Sequence, residues 1–106
     1  MNIDIKSTSF ELTPSLKVYI NKKLVDSLSK MIRKYDNEGG VEMKIEVART
    51  TKHHYKGQVY MAEVNLILPG KSIRVVERSD DIRKAIDLTK KVLKLKLEQH
   101  KEKITP

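Results

Sequence analysis

The sequence predicts an α+β protein, a two-layer sandwich of order β-α-β-β-β-α, with two helices packed on one face of a four-stranded sheet. Three observations carry this. Four segments alternate apolar and polar residues with a period of two, which gives each a single wet face. Two longer segments repeat apolar residues at helical spacing, and turn or capping residues stand between the segments. Because only one side of each strand is apolar, both helices belong on that side. A chain of 106 residues suits one core. A single domain is expected over residues 1–104, with 105–106 as a frayed end.

Asn2-Ile3-Asp4-Ile5-Lys6 alternates as a half-buried strand does. Thr13 and Pro14 then read as a helix start: threonine supplies the capping oxygen, and proline at the first helical position loses no hydrogen bond. Leu16, Ile20, Leu24, Met31 and Tyr35 fall within an arc of roughly 100° on an α-helix, a stripe that faces the core. The turn residues Asp36-Asn37-Glu38-Gly39-Gly40 end that helix. Val41, Met43, Ile45 and Val47 point one way along a second strand, and Tyr60, Ala62, Val64, Leu66 and Leu68 along a longer third. Pro69-Gly70 fits the centre of a type II turn, where glycine supplies the positive φ. Ile73, Val75 and Glu77 mark a shorter fourth strand, and Ser79-Asp80-Asp81 caps a final helix that runs to about Lys103.

The charge is unevenly placed. Against 14 acidic residues stand 22 Lys and Arg, a formal net charge of +8. The first helical segment, 14–35, holds six bases and one acid, and residues 81–106 hold eight bases and four acids. The remainder is nearly neutral, so the excess belongs to the helices. On the final helix Arg83, Lys90, Lys94 and Lys101 lie within about 40° of one line, a ridge of ~27 Å, with Lys84 and Lys91 in a second row. Lys22, Lys23, Lys30 and Arg33 are their counterparts on the first helix. Like charges four apart cost a helix a few tenths of a kcal/mol each. A polyanion that releases its counterions on binding returns that cost, so these ten residues are the candidate RNA contacts. The loop residues Arg49, Lys52, His53, His54 and Lys56, beside Tyr55, add cations and stacking surface.

Other chemistries find little support. Cysteine is absent, which excludes disulfides, thiolate nucleophiles and cysteine metal sites. Adjacent His53 and His54 lack a third ligand and would point to opposite sides of a strand, so no metal and no cofactor are expected. Neither a phosphate-cradling glycine loop nor HExxH occurs. Glu42, Glu46 and Glu63 on one sheet face read as solvent-exposed carboxylates, and His100 as structural. No run reaches the roughly 18 apolar residues of a membrane span. The expectation is a cytoplasmic, non-enzymatic protein, a monomer in solution with no membrane partner.

Thr51, His53-His54 and Gly57 before the third strand, Ala62-Glu63-Val64 within it, and Gly70 in the turn form one set of family-like positions. Asp81-Ile82, Ala85-Ile86-Asp87, Leu93, Leu97, His100-Lys101 and Lys103 form another. In this order and spacing, over nearly the full length, the chain resembles the ribosome hibernation-promoting factors and ribosome-associated translation inhibitors of the protein Y type. The resemblance implies a domain bound to the small ribosomal subunit against 16S rRNA, between head and body, where it excludes mRNA and the A- and P-site tRNAs. Lys22 and Lys23 match the family. Arg83 and Lys84 replace a common aromatic and alanine, and Leu95 replaces a basic residue, with Lys94 and Lys96 on either side. Long members carry a second domain beyond a linker, so the resemblance implies either a short-type factor or the N-terminal domain of a long one. Two alternatives stay open. The α-β-β-β-α run has the order of a double-stranded-RNA-binding domain, and Leu88, Val92 and Leu95 could form the seam of a protein-interaction module, although the expectation is that the first helix covers them.

Overall fold

The computed structural model describes residues 1–33, 35, 40–50 and 59–104, the last four as backbone only. Strand β1 (Asn2–Thr8) leads into a helical rod made of α1 (Pro14–Ile20), a π-helical segment (Asn21–Asp26) and α2 (Ser27–Arg33). Strands β2 (Glu42–Arg49), β3 (Tyr60–Leu68) and β4 (Lys71–Ser79) follow, then helix α3 (Ile82–Ile104). The sheet order is β1-β2-β3-β4, with β1 parallel to β2 and the other pairs antiparallel. This is the α+β sandwich that the alternation and the helical stripes predict.

The helix starts form as the capping residues require. Thr13 Oγ1 accepts the Leu16 amide at 3.2 Å, with Pro14 next in line. Asp81 Oδ1 accepts the Arg83 amide at 2.8 Å. Gly70 takes φ +73° in the β3–β4 turn. The fourth strand is not short: β4 pairs with β3 from Lys71↔Leu68 to Ser79↔Tyr60, because a two-residue turn zips both strands along their whole length.

The first rod departs from the uniform α-helix expected. Its buried positions are Leu16, Ile20, Leu24, Val25, Leu28 and Ile32, while Met31 and Tyr35 are only partly buried. Leu16, Ile20, Leu24, Leu28 and Ile32 repeat every four residues. On an α-helix of 3.6 residues per turn that spacing drifts off the core by about 40° per step. The wider i→i+5 turn of the π segment winds the drift back, so Leu28 and Ile32 reach the core in place of Met31 and Tyr35.

The core lies between the inner sheet face and the two rods. Met43, Ile45, Val47, Ala62, Val64, Leu66, Ile73 and Val75 meet Ile86, Leu93 and Leu97 of α3. Thr89 is fully buried there, and its hydroxyl donates to Ala85 O at 2.8 Å, which satisfies it. Leu88 and Leu95 are 41% and 54% exposed, so the first rod does not cover them, whereas Val92 packs on the core. Leu88 and Leu95 stand about 160–180° around α3 from Ile86, and the first rod lies beside α3 rather than over it.

On the outer sheet face two of the glutamates expected there, Glu46 and Glu63, are tied down. Thr8 Oγ1 donates to Glu46 at 2.7 Å, and Arg74 forks onto both oxygens of Glu63 at 3.3 Å with Asn65 donating at 3.0 Å. These bonds, the Arg74 one foremost, hold the Glu63 carboxyl below the ordinary carboxylate range. A depressed folded-state pKa stabilises above the unfolded value, and the contribution disappears as pH falls through the folded one. Replacing Arg74 by leucine should therefore raise the Glu63 pKa in a carboxyl-carbon NMR titration; an unmoved midpoint would show the fork to be inert.

Candidate nucleic-acid interface

Asp81 fixes the start of α3, and the helix's buried stripe fixes its phase. With Ile86, Leu93 and Leu97 turned to the sheet, Arg83, Asp87, Lys90 and Lys94 fall on the flank that faces the first rod. Tyr19 of α1 reaches across: its hydroxyl donates to Asp87 Oδ1 at 2.6 Å. The Arg83 guanidinium lies 4.7 Å from the centre of the Tyr19 ring, and the Lys23 ammonium 5.6 Å from it. Such cation–ring contacts leave the cationic heads at the surface while fixing their stems.

Beside this clasp runs an interhelical groove of about 270 Å³ lined by Lys23, Asp87, Lys90, Lys91 and Lys94. Four ammonium groups face one carboxylate, and Tyr19 already engages that carboxylate. The groove is therefore a cationic cradle with donors and few acceptors, suited to phosphate oxygens.

The sequence-predicted contacts divide into three groups. Lys23, Lys90, Lys91 and Lys94 converge in the groove, with Arg83 at its Tyr19 end. Lys22, Lys30 and Arg33 are displayed along the first rod, all three exposed. Lys84 is exposed but pairs with Asp80 at 3.8 Å, one helical turn away. Arg49 sits at the end of β2, 5.9 Å from the ring of Tyr60, which in turn meets Phe10 edge-on. Lys52, His53, His54 and Lys56, with the side chain of Lys101, lie outside the described residues. His100 stacks at a tilt on Tyr35, ring centres 5.7 Å apart. Among the described residues no three acids or histidines gather as metal ligands, and no helix is long and apolar enough to cross a membrane.

The residue that sequence reasoning missed is Tyr19. It lies 68 positions from Asp87, and no local pattern announces a bond over that distance. Partial burial, with the bond to Asp87 second, pushes the Tyr19 phenol up to about 12. A raised folded-state pKa stabilises fully below the unfolded value of 10.0, and this is lost as pH rises through about 12. The alkaline difference titration between the native chain and Tyr19→Phe, followed by phenolate absorbance, should show a midpoint near 12. A midpoint at the ordinary value would mean that the clasp is open in solution.

Known proteins share this architecture. The chain is 24% identical over 104 residues to the ribosome hibernation promotion factor of Bacillus subtilis (strain 168), covering 98% of itself and 50% of that protein. It thus spans about half the length of this curated relative. The crystal structure of the Thermus thermophilus Protein Y N-terminal domain superposes with a TM-score of 0.68 at 27% identity, over 94% of this chain and 99% of that one. A ribosomal subunit interface protein from Coxiella burnetii gives a TM-score of 0.73 at 23% identity over 96% and 99%, a likeness of fold. The family model described as Sigma 54 modulation protein / S30EA ribosomal protein matches residues 3–105. With the fold and a match over nearly its whole length in agreement, the chain belongs to the Sigma 54 modulation protein / S30EA ribosomal protein family.

Proposed function

We propose that this domain is a translation inhibitor of the hibernation type, which binds 16S rRNA of the small ribosomal subunit in the channel between head and body. There it sterically keeps out mRNA and the A- and P-site tRNAs. The observation that carries the reading is the interhelical groove, where Lys23 from one rod and Lys90, Lys91 and Lys94 from the other present a single cationic cradle. A hibernation factor among the relatives and a Protein Y domain among the similar structures support the ribosome as the place where that cradle works. The mechanism needs no bond-making: phosphate contacts hold the domain, and its volume excludes the competitors.

Cosedimentation with isolated small subunits tests this. Binding should be strong at low salt, fall linearly on a log–log plot as salt rises, and decline when tRNA and mRNA are supplied in excess. Salt-independent binding would sink the phosphate-contact mechanism. Equal affinity for a free RNA duplex would redirect the reading to a shape-reading duplex binder.

A further inference from the structure

On the other flank of α3 a second groove, of about 280 Å³, opens between the helix and the edge strand β4. Lys71, Ser72 and Arg74 line it from the strand, and Lys96, Gln99 and His100 from the helix. Lys96 Nζ donates to the outward-facing carbonyl of Arg74 at 3.4 Å, which ties the helix to the sheet edge and keeps the ammonium at the mouth of the groove. The Arg74 guanidinium is largely balanced by Glu63, so Lys71 and Lys96 supply the excess charge. Among the described residues no acidic side chain lines the groove.

The placement separates this groove from the interhelical one. Lys94 and Lys96, two residues apart, project about 160° apart around α3. A strand lying along Lys90 and Lys94 therefore cannot also run past Lys96 and Lys71. The lining offers ammonium, hydroxyl, amide and imidazole groups together, the mixture that proteins turn toward phosphate oxygens. We propose that this groove is a second phosphate-binding site, taking an RNA backbone segment distinct from the one in the interhelical groove, so that α3 is gripped by RNA on both flanks. The inference rests on the proposed function only in taking RNA as the polymer.

The test is an amide NMR titration of the whole chain with an oligouridylate of about twelve nucleotides, a length that single-strand grooves accommodate. Two sets of shifts are expected, one at Lys23 and Lys90–Lys94, the other at Lys71–Arg74 and Gln99. Inorganic phosphate should move the second set at higher concentration, if the groove reads phosphate itself. Exchanging Lys71 and Lys96 for glutamine keeps a donor at each place and should lower the salt slope of the second set by about two, while the first set stays unchanged. Unmoved amides of Leu66 and Ile86 will show that the variant is folded. Shifts confined to the first set would overturn the second site and leave the proposed function standing; no shifts at either place would count against both. Equal shifts with polyglutamate would overturn phosphate recognition in favour of a general anion groove.

Discussion

Exchanging both Lys90 and Lys94 for glutamate should weaken binding to small ribosomal subunits by about a hundredfold at about 0.1 M salt, because each phosphate contact carries roughly a tenfold counterion-release gain there. Both lysines line the interhelical groove beside Lys23 and Lys91. Reversal also places two carboxylates next to Asp87, which accepts a hydrogen bond from the Tyr19 hydroxyl across the groove. The slope of log affinity against log salt should fall by about two. Lys84 is a fair control: it is exposed and already paired with Asp80, so Lys84→Gln should change the affinity several-fold less. An undiminished affinity in the double variant, with native thermal stability, would move the interface away from this groove.

Leu93→Ala should destabilise the domain by about 3 kcal/mol, within the 2–5 kcal/mol typical of deleting a buried leucine. Leu93 is fully buried midway along α3, against the inner face of the sheet. Against a total stability on the order of 5–15 kcal/mol, that loss is large. Urea titration is the measurement, with the midpoint falling and the slope unchanged. The site should suffer in proportion, since α3 carries Arg83, Lys90, Lys91 and Lys94 on a phase that Ile86, Leu93 and Leu97 set. A cost below about 1 kcal/mol would mean that α3 is seated on the sheet by other residues than these.

Most of the fold is legible in the amino-acid sequence. Period-two alternation from Val41 to Val47 and from Tyr60 to Leu68 names the inner sheet face because a strand has only two sides. Thr13, Pro14, Gly70 and Asp81 mark their boundaries through local bonds and backbone angles, which neighbours along the chain determine. The first rod misled for a physical reason. A four-residue repeat admits two readings: an α-helix that abandons Leu28 and Ile32, or a helix with a wider turn that keeps them. Only packing against the sheet selects the second. Leu88 and Leu95 misled in the same way, since helical phase shows that they oppose the core but not where a neighbouring rod lies.

The cations themselves could be read from charge counts and helical phase, and so could the near-neutrality of the sheet. Composition and spacing act within one element, and each lysine's direction follows from the apolar stripe opposite it. What the amino-acid sequence could not settle was which flank of α3 would face Lys23, that Tyr19 would bridge to Asp87, or that Lys96 would join Lys71 at the sheet edge. Those pairings join residues far apart in the chain. They exist only once the rods are laid side by side on the sheet, where close packing leaves one relative position for each.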